Sequence, residues 1–266
     1  MAKIENIIAS LGGILKLAGF LFMALALLPV TYFLKAIDPD HPFRIPQLFH
    51  SMVLRMLGIS VRIHGQPATT SPVLFVANHA SYLDIIVLGA ILPTGFVAKS
   101  EVAGWPLFGM LARAQNTVFI ERRSIRAAAQ RSQLQDYFAK KQNLVLFPEG
   151  TSSDGLTSLP FKSSLFSIVE ESSPDIAITM QPVSVTCTEL GGLPLLREER
   201  ALYAWYGDMT LAPHLWNVFK HGNFTVEVIF HSPLTMAEGV DRKILAATCQ
   251  KMVAAGIEQS LTRHIN

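Results

Sequence analysis

The chain has 266 residues, of which 50% are hydrophobic and only 16% are charged, and its formal net charge at pH 7 is +2. This length fits one domain with a substantial core, and so small a charge without a Lys/Arg run argues against a nucleic-acid partner. The mean hydropathy of +0.35 is high for a freely soluble protein and indicates contact with a membrane.

The N-terminal segment 14–34 is apolar apart from Lys16 and a few weakly polar positions. It is just long enough to cross a bilayer, which takes about 20 apolar residues. We predict an uncleaved anchor, either spanning the membrane or lying in its interface, because no small-residue cleavage site follows the run. A signal peptide is the alternative. Residues 50–57 predict a short amphipathic helix on the membrane, so 1–58 are assigned to N-terminal membrane-associated helices.

Residues 59–266 are assigned to an α/β domain, since short apolar runs alternate there with helical patterns. The alternation predicts a single domain with a mainly parallel mixed sheet flanked by helices. Strands are predicted at 61–64, 73–77, 96–98, 117–120, 144–147, 176–187, 202–206 and 225–230. Helices are predicted at 81–92, 106–114, 125–141, 162–171, 213–220 and 242–262.

Cysteine usage predicts neither a disulfide framework nor a metal site. Cys187 and Cys249 are the only cysteines, with no C-x-x-C pair and no histidine cluster at ligand spacing. We therefore expect two reduced core cysteines in a cytoplasmic compartment.

The stretch N-H-A-S-Y-L-D at 78–84 carries the chemistry. It follows a buried strand, so His79 is expected in a turn and Asp84 about one turn into a helix capped by Asn78 or Ser81. A neutral imidazole can take a proton from a hydroxyl at physiological pH, and a nearby carboxylate fixes its tautomer. Ser81 has no G-x-S-x-G elbow around it. The pattern thus favours His79 activating a substrate hydroxyl, with a capped turn as the non-catalytic alternative.

Three further blocks follow in order: T-V-F-I-E-R-R at 117–123, L-F-P-E-G-T at 146–151 and Q-P-V-S-V at 181–185. Together with N-H-x4-D they resemble the glycerolipid acyltransferase family typified by 1-acyl-glycerol-3-phosphate acyltransferases. The resemblance implies an O-acyltransferase of membrane lipid biosynthesis that moves a fatty acyl group from acyl carrier protein or coenzyme A to a lysolipid hydroxyl. It further implies a bacterial inner-membrane enzyme whose active site faces the cytoplasm, with no metal and no cofactor beyond the acyl-thioester co-substrate.

The resemblance also assigns roles to the reacting end of the site. His79 is the expected general base and Asp84 the group that orients it. Lys99, after the strand 96–98, matches a lysine near the thioester and would stabilise the oxyanion as a pre-organised cation. An ordinary surface lysine is the alternative.

The acceptor side of the site is assigned in the same way. Arg122 matches the arginine of the family's F-I-x-R block and would clamp an anionic headgroup, since a guanidinium binds phosphate or carboxylate oxygens bidentately. Glu149, Gly150 and Thr151 match P-E-G-T and would bind the acceptor and shape the site. The alternatives are a solvated basic face for Arg122 and a structural turn for the glycine loop.

Two departures from the family pattern concern the acceptor. Ser152 stands where phosphate-specific members have the arginine of P-E-G-T-R-S, and F-K-x-G is replaced by F-K-S-S at 161–164. Together with A-W-Y-G-D-M at 204–209, these features resemble the bacterial lyso-ornithine-lipid acyltransferase branch, whose acceptor presents a carboxylate that Arg122 alone could hold. 1-Acyl-glycerol-3-phosphate is the alternative acceptor.

Two other classes of function remain as alternatives. A lipid hydrolase would release free fatty acid without consuming a lysolipid, but a His-Asp pair with neither nucleophile nor metal disfavours it. A non-catalytic membrane scaffold would leave lipid composition unchanged when His79 is replaced by alanine.

Overall fold

The computed structural model describes residues 2–39, 41–70, 72–120, 127–167, 177–234 and 241–263. An eight-stranded mixed sheet with helices on both faces confirms the predicted fold class. The strands are β1 (Ser60–His64), β2 (Val73–Ala77), β3 (Thr94–Lys99), β4 (Val118–Ile120), β5 (Asn143–Leu146), β6 (Thr179–Leu190), β7 (Leu193–Pro194) and β8 (Phe224–Phe230). The helices are α1 (Ala2–Ile37), α2 (Arg44–Leu57), α3 (Leu83–Ile91), α4 (Phe108–Ala114), α5 (Ala127–Ala139), α6 (Leu211–His221) and α7 (Arg242–Thr262).

The strands run in the order β1-β8-β6-β2-β5-β3-β4, and β7 pairs with the end of β6. The five strands from β6 to β4 are mutually parallel, whereas β8 is antiparallel to β6 and β1 is parallel to β8. β2 lies in the middle, and all five of its residues are buried. A continuous apolar strand is what a sheet covered by helices on both faces requires.

Successive side chains of a strand point to opposite faces of the sheet and belong to two separate cores. From β2, Val73, Phe75 and Ala77 join the core that contains residues of α1, α2, α3 and α6. Leu74 and Val76 point the other way and join the core that contains residues of α5 and α7.

Helix α1 packs against the domain along most of its length. Phe20 lies between Phe49 of α2 and Phe219 of α6, with ring centroids 5.7 and 5.8 Å away. Near one end Lys220 donates a 2.8 Å hydrogen bond to Asn6, and near the other Lys35 bonds the side chain of Asn116. The opposite side of α1 is exposed and apolar, with Ile4, Ile7, Ile8, Leu11, Ile14, Leu15, Leu21, Phe22, Leu25, Val30, Tyr32, Phe33 and Ile37.

One predicted strand is wrong. Residues 202–206 were expected to extend, but the chain forms a 3-10 helix at Arg197–Leu202 and then an irregular segment. The apolar run resembles a strand, yet Tyr203 and Ala204 are buried in the core that also contains residues of α2, α3 and α6. Their backbone N–H groups bond Arg200 O, and no sheet partner is described for them.

Other boundaries differ more modestly. β6 continues to Leu190, three residues beyond its expected end, because it pairs with β8 and β7 there. Of the helix expected at 162–171, the described part is a short 3-10 helix at Ser163–Phe166. Residues 168–171, and Ile176 at the expected start of β6, lie outside the described residues.

The packing of α1 gives a stability prediction. Phe20 is 6% exposed and Phe22 is 73% exposed on the same helix. Phe20→Ala removes an aromatic ring from the core and should lower the free energy of unfolding by about 3 kcal/mol. Phe22→Ala should change it by less than about 0.5 kcal/mol. Thermal unfolding of both variants in the same detergent measures the difference, and equal losses would contradict this packing.

Candidate active site

The site is built where two adjacent parallel strands end. β2 pairs with β5 in parallel register, with Val76 opposite Leu146. The loop with His79 follows β2 and the loop with Glu149 follows β5, so both lie at the carboxyl edge of the sheet. This edge is where open α/β sheets form their ligand sites.

The imidazole of His79 is held by a buried carboxylate. His79 Nδ1 lies 3.0 Å from Asp84 Oδ2. That oxygen also accepts hydrogen bonds from the backbone N–H groups of Ala80 (2.7 Å) and Ser81 (2.8 Å). Because the carboxylate is the acceptor throughout, Nδ1 carries the proton and Nε2 keeps its lone pair. The His79 side chain is 20% exposed, whereas that of Asp84 is fully buried.

Local chain geometry differs from the expectation in two respects. Asp84 is the second residue of α3, in its first turn, which lets its carboxylate fold back onto the preceding backbone N–H groups. Asn78 does not cap the helix, because its amide exchanges two 2.8 Å hydrogen bonds with the backbone of Val185 on β6. The hydroxyl of Ser81 accepts from Leu83 N–H at 3.3 Å.

Aromatic rings form one wall of the site. Phe147, the residue after β5, stacks on the His79 imidazole with ring centroids 4.2 Å apart and planes inclined by 20°. Phe96 in turn stacks on Phe147, with ring centroids 6.3 Å apart. The imidazole is therefore fixed in orientation on one face by an apolar surface and at Nδ1 by Asp84.

Glu149 is a buried carboxyl group beside this pair. Its Oε1 accepts from His79 N–H at 3.3 Å and from the Ser158 hydroxyl at 3.5 Å, while Oε2 has no hydrogen-bond partner among the described residues. Burial, together with the negative charge of Asp84, raises the pKa of Glu149 to about 8. The group is thus mostly protonated at neutral pH and can donate a hydrogen bond.

Gly150 is required by the backbone. Its φ is +66°, a left-handed conformation that residues with a side chain rarely adopt. A Cβ at this position would also lie 2.7 Å from Lys162 Nζ. Lys162 is fixed to the same loop, since its N–H donates to Pro148 O at 2.9 Å. A cation therefore lies against the glycine loop, although the sequence had marked Lys162 only as part of an altered motif. Thr151 is exposed beside it.

For the other two expected site residues, Lys99 and Arg122, the structure describes no contact with His79. Lys99 is exposed at the end of β3. Its backbone pairs with β4, but its ammonium group makes no hydrogen bond or ion pair with another described residue. Arg122 lies outside the described residues, and the strand before it, β4, ends at Ile120.

A C-terminal segment that the motifs missed also reaches the site. The hydroxyl of Tyr203 donates a 2.8 Å hydrogen bond to Asp84 Oδ1. The backbone N–H of Trp205 donates to Ala80 O at 2.8 Å, and the Ser152 hydroxyl donates to the backbone carbonyl of Trp205. The sequence had marked this segment in two ways, as a strand at 202–206 and as the branch-specific run A-W-Y-G-D-M at 204–209, but neither pointed to a contact of Tyr203 with the site.

Comparison with known proteins shows the family to which the chain belongs. The acyltransferase family model matches residues 60–186. The chain belongs to this family and is an enzyme that transfers acyl groups. It is 38% identical over 253 residues to the lyso-ornithine lipid O-acyltransferase of Brucella abortus, covering 93% of this chain and 94% of that protein. It is 31% identical over 207 residues to the 1-acyl-sn-glycerol-3-phosphate acyltransferase of Neisseria meningitidis, covering 76% of each.

The fold is also that of a solved acyltransferase. The crystal structure of the 1-acyl-sn-glycerophosphate (LPA) acyltransferase from Thermotoga maritima superposes with a TM-score of 0.67, covering 97% of both chains at 19% identity. The likeness therefore extends beyond the region of the family model to α1 and α7.

The raised pKa of Glu149 predicts a pH-dependent stability. The pKa is about 8 in the folded state, above the ordinary 4.5. The folded state therefore binds the proton more tightly, and its advantage, complete below pH 4.5, is lost as the pH rises to about 8. Glu149→Gln has no such proton. From pH 5 to pH 8.5 the wild type should lose up to about 4 kcal/mol of unfolding free energy relative to this variant, which corresponds to a relative fall in Tm of up to roughly 10 °C. If Tm depended on pH in the same way for the wild type and Glu149→Gln, the raised pKa of Glu149 would be contradicted.

Proposed function

We propose that this enzyme acylates the hydroxyl of a lysolipid in membrane lipid biosynthesis, with lyso-ornithine lipid as the acceptor. The observation that carries the proposal is the His79–Asp84 pair, in which a buried carboxylate holds Nδ1 of a histidine side chain that is itself partly exposed. Such a pair provides a base without a nucleophile of its own, which suits direct transfer between two substrates.

In the proposed mechanism, the lysolipid hydroxyl binds His79 Nε2 and attacks the thioester carbonyl as the imidazole removes its proton. Asp84 stabilises the imidazolium that forms. The tetrahedral intermediate then breaks its carbon–sulfur bond, and His79 returns the proton to the departing thiolate. No acyl-enzyme forms. Lys99 is proposed to stabilise the oxyanion, and either acyl carrier protein or coenzyme A could carry the acyl group.

The acceptor proposal is supported by two observations. The Brucella relative named a lyso-ornithine lipid O-acyltransferase is more similar to the chain than the Neisseria phosphate-lipid enzyme, at 38% against 31% identity. In addition, Ser152 replaces a phosphate-binding arginine, and its hydroxyl is used to bond Trp205 O. The site thus has one cation fewer for a phosphate dianion.

The acceptor headgroup is proposed to bind at the glycine loop. A carboxylate there would meet Lys162, whose Nζ lies against Gly150, and we assign Arg122 as a second cation. Glu149, protonated at neutral pH, could donate a hydrogen bond from Oε2 to the acceptor. Gly150 and Thr151 would shape this end of the site. The alternative acceptor, 1-acyl-glycerol-3-phosphate, would use the same groups.

We further propose that α1 lies in the membrane interface, with the active site on the cytoplasmic side of the bacterial inner membrane. The helix is apolar and long enough to cross a bilayer from Asn6 to Ile37. However, its contacts with the domain extend from Asn6 to Lys35, about 44 Å of helix. If α1 spanned the membrane, the part of the helix inside the hydrocarbon core, which is about 30 Å thick, could not keep these contacts with the domain. Its exposed side can instead enter one leaflet.

The acceptor proposal is tested by acylation assays. Membrane-bound enzyme is given an acyl thioester with lyso-ornithine lipid or 1-acyl-glycerol-3-phosphate, and faster acylation of the amino-acid lipid is expected. His79→Ala should reduce the rate roughly 100- to 10,000-fold, because the general base is lost. His221→Ala, which removes an exposed histidine at the end of α6, should leave it unchanged.

Each contrary outcome of these assays has a distinct meaning. Preference for the phosphate lipid would make the enzyme a phosphatidic acid synthase and overturn the acceptor assignment. Release of free fatty acid without consumption of lysolipid would indicate a hydrolase. Full activity in His79→Ala would exclude the mechanism.

The interfacial position of α1 is tested by charge insertion. Leu15 on α1 is 73% exposed, and Leu193 on β7 is 71% exposed. Leu15→Glu should weaken binding to lipid vesicles at least ~10-fold, since a carboxylate would have to enter apolar lipid. Leu193→Glu is the matched control and should bind like the wild type. Co-sedimentation with vesicles measures both, and equal binding by the two variants would contradict the interfacial position.

A further inference from the structure

Tyr203 is a buried residue outside residues 60–186, the region that the family model matches. Its hydroxyl donates to Asp84 Oδ1 at 2.8 Å, and its ring packs edge-on against Phe224 of β8 at 5.5 Å. The Tyr203 hydroxyl therefore binds Oδ1, the oxygen of the Asp84 carboxylate that does not contact His79.

The two oxygens of Asp84 are held differently. Oδ2 receives three N–H donors, from His79, Ala80 and Ser81. The donor described for Oδ1 is Tyr203. If the hydroxyl were absent, Oδ1 would be a buried acceptor without a described partner. The carboxylate could then rotate about its Cβ–Cγ bond to share the N–H donors between both oxygens, which would move Oδ2 away from His79 Nδ1.

We propose that Tyr203 is a positioning residue of the acyl-transfer reaction, which holds the Asp84 carboxylate in the plane that keeps Oδ2 on His79 Nδ1. The inference rests on the proposed role of His79 as general base. Burial and the nearby Asp84 charge also raise the pKa of Tyr203 well above 10, so the hydroxyl remains a donor at every assay pH.

The segment that carries Tyr203 is itself fixed to both loops of the site. Trp205 N–H donates to Ala80 O at 2.8 Å, in the turn after His79. Trp205 O accepts from Ser152 in the glycine loop, and Ser153 N–H donates to His79 O at 2.9 Å. The hydroxyl is therefore positioned by the same loops whose histidine it supports.

The test compares Tyr203→Phe with Tyr137→Phe. Both changes remove one hydroxyl from a buried tyrosine, but the Tyr137 hydroxyl bonds Asn143 O at 3.4 Å, and the residue belongs to the core on the other face of the sheet. Tyr203→Phe should lower kcat about 10- to 100-fold with KM for the lysolipid within about twofold, because alignment of the base is lost rather than binding. Tyr137→Phe should keep both constants near wild type.

A second measurement separates positioning from partial unfolding. Without the Tyr203 hydroxyl, Oδ2 lies farther from His79 Nδ1 and stabilises the imidazolium less, so the acidic limb of the kcat/KM profile should move to lower pH in Tyr203→Phe. A smaller folded fraction would lower the whole profile without moving this limb. The other titratable groups near Asp84 or Tyr203 are the same in both enzymes: Glu149, Cys187 and Tyr82.

The background of the Asp84→Asn variant provides a third arm. In that background Tyr203→Phe should lower kcat by less than about twofold, since a residue that acts only by positioning the Asp84 carboxylate has no effect once the carboxylate is absent. Wild-type kcat and an unmoved acidic limb in Tyr203→Phe, or equal losses in Tyr203→Phe and Tyr137→Phe, would overturn the inference. An active His79→Ala enzyme would instead sink the proposed function on which it depends.

Discussion

The buried carboxylate of Asp84 is the constraint on which the site depends. A charged group that is buried away from water must be compensated by hydrogen bonds. Here four donors contact the two oxygens of Asp84. Three of them come from the turn that follows β2, so satisfying the carboxylate also fixes the shape of that turn. The imidazole then has one orientation, in which Nε2 is the nitrogen left for a substrate.

The rest of the fold can be understood as support for that turn. The Asn78 amide ties it to β6, and Phe147 after β5 stacks on the imidazole. On the other side, α3 packs on α2, where His50 fills the space over Gly89. Since α2 packs in turn on α1 through Phe20 and Phe49, the apolar outer side of α1 has a fixed position relative to the site.

Glu149 shows how one local environment separates two carboxyl groups. Asp84 accepts four hydrogen bonds, whereas Glu149 is buried with two longer ones and an oxygen that has no described partner. Desolvation without full compensation favours the neutral acid. The two side chains are therefore suited to opposite tasks, one as an acceptor that orients a base and the other as a donor toward a ligand.

The sequence by itself determined most of the strands and helices, the apolar N-terminal helix and the two loops of the site, because hydrophobic periodicity and the N-H-x4-D and P-E-G-T blocks are local signals. The site residues assigned from resemblance remain predictions, with Arg122 outside the described residues. Tertiary structure alone decided that 202–206 is not a strand and that Tyr203 meets Asp84. These contacts join residues more than a hundred positions apart, and no local pattern encodes such a pairing. The packing of α1 against α2 and α6 was likewise decided only by tertiary structure, since the composition of the helix fits both a spanning and an interfacial position.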